Sequence, residues 1–106
     1  MSDHLAELEK RIGELLAHEA PKRRCRRYAR DGFAQGVLLH HLEGEGLFHK
    51  ELPVLPLFGE DPEGELYGSR FCGKSGSFEA YATSPGEALA RAAHKALVGL
   101  QRRMAG

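Results

Sequence analysis

The chain has 106 residues, 42% of them hydrophobic and 28% charged, with two cysteines and a formal net charge of zero. That length fits one domain, and the mixture is that of a soluble folded protein, which excludes a wholly disordered chain. Apolar runs never exceed three residues, too short for a membrane span, and the zero net charge fits selective electrostatic pairing better than general coating of a nucleic-acid backbone.

The first organised segment is "DHLAELEKRIGELLAHEAP". Leu5, Leu8, Ile12, Leu15 and Leu16 recur at helical spacing, with Glu7, Glu9, Lys10, Arg11 and Glu14 on the other side. Ser2 or Asp3 suits the cap, and Pro21 stops the helix, which is expected near 3–20. The apolar stripe reads either as core packing or as the seam of a homodimer. The acidic start lacks the basic-then-apolar order of a signal peptide, and Cys25 and Cys72 do not make a disulfide framework. Both features lead to the expectation of a cytoplasmic protein with reduced thiols.

The middle of the chain carries weaker signals. "CRRYAR" reads as a strand, with Cys25, Arg27 and Ala29 opposite Arg26, Tyr28 and Arg30, or as a short helix ending near Asp31–Gly32. Val37 to Leu42 reads as a β-run between glycines. In "LPVLPLFGEDPEG", Pro53 and Pro56 deny an inner strand two amide donors, so the segment is expected to be an edge strand or a loop. "ELYGSRF" and "SFEAYAT" form a hairpin through "CGKSG", with Phe78, Ala80 and Ala82 toward the core and Glu79 and Tyr81 opposite. A second helix is expected near 85–103. Ser84 is its N-cap, Pro85 its first residue, and Glu87 is placed to reach back to the Ser84 amide. Leu89, Ala92, Ala93, Ala96, Leu97 and Leu100 form its apolar stripe, and Arg102 and Arg103 suit its carbonyl end. The coherent fold is a single small α+β domain, an antiparallel sheet packed with an N-terminal and a C-terminal helix.

Two family resemblances follow from the C-terminal unit. The hairpin and "ATSPGEALARAAHKAL", spanning Glu65 to Leu100, resemble the C-terminal half of small phage-encoded α/β sandwich (ABA sandwich) proteins, in which a polar hairpin precedes an alanine-rich closing helix. That resemblance implies a phage-like accessory protein, with inhibition of a host enzyme or complex as one extension. The order helix, three strands, helix also resembles double-stranded RNA-binding domains, whose final alanine-patterned helix is matched by Ala88, Ala92, Ala93, Ala96 and Leu97. Those domains start that helix with lysines that touch phosphate. Here Pro85, Gly86 and Glu87 stand there, and a carboxylate repels phosphate.

Charge is segregated along the chain. Residues 22–30 hold six bases and no acid, whereas residues 31–65 hold eight acids and one base. Arg23, Arg24, Arg26, Arg27 and Arg30, with Tyr28 for stacking, are candidate anion or partner contacts. The same run also reads as a solvated face, or as a patch paired with the acidic region. Glu43, Glu45, Glu51, Glu60, Asp61, Glu63 and Glu65 are a candidate acidic partner surface, with Leu47, Phe48, Leu57 and Phe58 as anchors. A solubilising loop whose aromatics complete the core is the other reading.

Catalytic chemistry has little support in the residues. His40 and His41 have no recognisable nucleophile or relay beside them, and they would face opposite sides of a strand. Cys25, Cys72, His40, His41 and His49 lack the paired spacing of a zinc site. Gly73–Lys74–Ser75 lacks the upstream glycine of a phosphate loop. The sequence therefore leads to the expectation of a non-enzymatic regulator or inhibitor without a cofactor, binding a host or phage protein. A nucleic-acid binder adding Lys74 and the C-terminal arginines to the basic run is the alternative.

Overall fold

The computed structural model describes residues 4–19, 27–56 and 65–105. In chain order these form α1 (His4–Glu19), α2 (Gly32–Gly44), β1 (Phe48–Pro56), β2 (Glu65–Gly73), β3 (Gly76–Ala82) and α3 (Pro85–Ala105). The strands make an antiparallel sheet in the order β1-β2-β3, so the α+β architecture with helices at both ends stands as expected. β1 is an edge strand, as its prolines require, and its register with β2 shifts between Leu52 and Leu55.

α2 departs from expectation. Val37 to Leu42 lies inside a helix, not a β-run. Asp31 caps it by accepting the Phe33 N–H at 3.0 Å. Its far end closes with Leu47 N–H on the Leu42 carbonyl and Gly46 N–H on the Glu43 carbonyl, with Gly46 at a φ of 81°. That left-handed position suits glycine and satisfies the last free carbonyls. Ala34, Leu38, His41 and Leu42 are buried at helical spacing, but Phe33, Val37 and Leu39 spread apolar character around the helix and blur its period.

α3 is the central element, packing on β3 and β2 while α1 and α2 pack against it. Ala88, Ala92, Ala93 and Ala96 are fully buried, so the helix backbone lies close to its neighbours. Ser84 caps α3 by accepting the Glu87 N–H at 3.2 Å. The Glu87 carboxylate does not close the expected reciprocal bond. It accepts from Arg91 Nε at 2.7 Å and faces His4 Nε2 at 3.4 Å, tying α3 to the start of α1.

Leu8, Ile12 and Leu16 of α1 belong to the same core as Leu97, Leu100 and Phe71. Leu8, Ile12 and Leu16 of the leucine stripe are thus core residues of the chain itself, with Leu5 and Leu15 partly buried against them. One residue assigned to the polar side of α1 is misplaced: Glu9 is only 4% exposed. Its Oε2 accepts the Ala29 N–H at 3.0 Å and its Oε1 accepts from Arg30 at 2.6 Å. α1 therefore pins the turn that leads into α2.

Candidate interaction surface

The basic run is only partly within the described residues. Arg23, Arg24 and Arg26 lie outside them. Arg27 is exposed, ahead of a turn at Tyr28 to Arg30 in which Arg30 N–H and Asp31 N–H donate to the Arg27 carbonyl. Neither the strand nor the helix expected over "CRRYAR" extends through these residues. Tyr28 is fully buried in the core, so its assignment as a stacking residue is corrected. An aromatic ring is worth more packed among leucines than standing in water. Arg30 bonds Glu9 of α1.

The acidic candidates divide in the same way. Glu43, Glu45 and Glu51 are exposed on the α2–β1 side. Glu60, Asp61 and Glu63 lie outside the described residues, as do Leu57 and Phe58. Glu65 begins β2 opposite Pro56. Of the remaining anchors, Leu47 is fully buried core and Phe48 is exposed. Lys74 is exposed in the hairpin turn between the paired Gly73 and Gly76, so "CGKSG" serves as a strand connection.

The strand registers assemble a surface that the linear sequence does not display. On one face of the sheet, Phe48, Cys72 and Ser77 form a row across the strands. Lys50, Arg70 and Glu79 form the next row, and Leu52, Gly68 and Tyr81 the third. The opposite face carries buried Phe71, Ser69, Ala80 and Ala82 under the helices, so the three rows occupy the face turned away from α3. Phe48 is 58% exposed and Tyr81 41% exposed on it. Arg70 donates to Glu79 Oε2 from both Nε and Nη2, at 3.2 and 2.9 Å. The Tyr81 ring lies directly over Gly68, where a Cβ would collide with it. Cys72 is a free, half-buried thiol on this face.

A second feature lies at the β1 edge of the covered face. His49 and Glu51 of β1 stand beside Ser69 of β2, and His49 Nε2 is 3.1 Å from Ser69 Oγ. His49 also packs on Phe71, with ring centroids 5.1 Å apart. Between this group, Gln35 of α2 and the start of α3 is a cavity of about 320 Å³. The sequence reading missed it because His49 and Ser69 meet only once the strand register is known. Alternation along each strand puts both residues on the inner face, which is the signal the sequence offers. The adjacent pair His40–His41 turns out to be helical, with His41 buried and His40 exposed. Among the described residues, no group of three or more histidines, cysteines or acids is placed to hold a metal ion. Among the same residues, no helix is long and apolar enough to cross a membrane.

Three titrations couple this architecture to pH. Burial lowers the His49 imidazole below its ordinary 6.5, against an opposing pull from Glu51. Burial, aided by Arg11, lowers His94 likewise. Burial alone would raise Glu87, but hydrogen bonds from Arg91 and His4 outweigh it and hold the carboxyl below 4.5. In all three cases the unfolded chain takes up protons at higher pH than the folded one, so acid favours unfolding. Stability should fall as pH drops below about 6.5 through the folded histidine values, and again below about 4.5 as Glu87 protonates. Urea midpoints across this range test the sign, and a flat profile would contradict it.

Neither a protein-family model, a curated protein nor a solved structure matches the chain.

Proposed function

We propose that this protein is a non-enzymatic accessory protein, a regulator or inhibitor of phage-like type, that docks a protein partner on the open face of its sheet. The observation that carries this reading is the exposure of Phe48 and Tyr81 on a face turned away from the helices. Two aromatics around an Arg70–Glu79 pair give the composition of a protein interface, with apolar anchors beside an oriented charge pair. Glu43, Glu45 and Glu51 are exposed as well, but on the α2–β1 side of the molecule and not on this face.

Affinity capture from a host lysate tests the proposal. The wild-type chain should retain one reproducible protein, and the double variant Phe48→Ala/Tyr81→Ala should retain it at least about tenfold less well. Both side chains are exposed, so the variant should keep its circular dichroism spectrum and urea midpoint. Equal retention by both proteins, or no reproducible partner, would sink the reading.

The nucleic-acid alternative draws support from element order, since α2–β1–β2–β3–α3 is helix, three antiparallel strands, helix. It is weakened by the burial of Tyr28, by the Glu9 bond to Arg30, and by Glu87 at the start of α3. Titration with duplex RNA, duplex DNA and single strands at low salt separates the readings. Binding that declines steeply with salt and is lost on reversing Arg23, Arg24, Arg26 and Arg27 would favour nucleic acid over protein.

A further inference from the structure

The β1-edge cavity is chemically distinct from the open sheet face. Its deep wall holds buried Ser69 and half-buried His49, hydrogen-bonded to each other. Tyr67 and Leu89 supply apolar surface, while Gln35 and the exposed Glu51 carboxylate stand around the mouth. Among the described residues, no lysine or arginine lines it. Because burial disfavours protonation of His49, the Glu51 carboxylate is the sole formal charge among the described lining residues at neutral pH.

That distribution selects a ligand class. Among the described lining residues an anion would meet one carboxylate and no fixed cation, and a wholly apolar group would leave the Glu51 carboxylate and the Gln35 amide without a bond to the ligand. An aliphatic stem ending in a cation satisfies both ends, with the stem against Tyr67 and Leu89 and the charged head between Glu51 and Gln35. The volume of about 320 Å³ sits at the lower end of small-ligand pockets, roughly 300–1,000 Å³, which suits a single side chain or small amine better than a nucleotide.

We propose that the cavity between β1 and the start of α3 binds an alkylguanidinium or alkylammonium group, with Glu51 as its counter-ion. The group arrives either on a free amine or as an arginine or lysine side chain of a protein. This site is independent of the open-face reading, because Phe48 and Tyr81 stand on the other side of the sheet from Glu51 and Ser69.

The test is an NMR titration of the intact chain, following the Ser69 and Gly86 amides and the His49 ring. The probes are butylguanidinium, N-acetylarginine amide and the neutral isostere N-acetylcitrulline amide. Saturable shifts are expected with the two cations, at least about tenfold weaker for citrulline and for Glu51→Gln with either cation. Similar affinities for butylguanidinium and acetylarginine amide point to free amines, whereas clear preference for the amide points to a protein side chain. Absence of saturation with both cations, or equal binding by citrulline or by Glu51→Gln, overturns the proposal. Phe48→Ala/Tyr81→Ala should bind the probes like wild type, so failure of the open-face reading would leave this result readable.

Discussion

Leu97→Asp is expected to lower the stability of the chain by about 4 kcal/mol or more. Leu97 is almost wholly inaccessible on α3, in one cluster with Ile12, Leu16, Leu38 and Phe71. A carboxylate there has no partner among those side chains. It is either desolvated as an ion, at several kcal/mol, or held neutral with a lost packing contribution besides. Domains of this size have about 5–15 kcal/mol in total, so a loss of about 4 kcal/mol or more removes at least about a quarter of the margin. α3 is also the element against which α1, α2, β2 and β3 all pack, so the damage does not stay local. Arg102→Ala, at an exposed position of the same helix, should change stability by no more than about 0.5 kcal/mol. Urea unfolding followed by circular dichroism decides it, and similar midpoints for the two variants would refute the central role given to α3.

The ends of the fold were legible because their signals are local. Ser84, Pro85 and the alanine stripe specify α3 within a single window, and the alternation of Phe78, Ala80 and Ala82 against Glu79 and Tyr81 specifies the inward face of β3. α2 was not legible as a helix because it is apolar on several sides. Its decisive features, the Asp31 cap and the Gly46 closure, lie outside the apolar run that attracted the strand reading. Glu9 was misassigned for a different reason. Helical position put it beside polar residues, but a turn 20 residues away supplies an amide and a guanidinium that make its burial tolerable. Site residues were harder still. Phe48, Arg70 and Tyr81 lie on three strands, and only the register unites them in one surface. Composition drew attention to the basic run instead, where the described part proved to be occupied by structure: Tyr28 in the core and Arg30 on Glu9.

The Glu9 contact carries the second large expected effect. Glu9→Ala should destabilise the chain by about 2 kcal/mol, and most of that should come from the backbone amide of Ala29. That amide is buried and donates to Glu9 Oε2, so truncation leaves a donor without its acceptor, a loss of about 1–3 kcal/mol. The ion pair contributes less, because Arg30 is about half exposed and water replaces its partner. Arg30→Ala should cost less, about 1 kcal/mol, since Glu9 still accepts from Ala29 and removal of the half-exposed Arg30 side chain opens its other oxygen to water. Glu9→Gln should fall between the two, retaining an acceptor oxygen but losing the charge. The damage should spread along a definite route. A Cβ at Gly86 would collide with the Ala29 carbonyl, so the start of α3 rests on the turn that Glu9 holds. Amide exchange should accordingly accelerate at Ala29 and through the first turns of α2 and α3 in Glu9→Ala, while the β2–β3 hairpin keeps wild-type protection. If Arg30→Ala costs as much as Glu9→Ala, the charge pair and not the amide holds the turn.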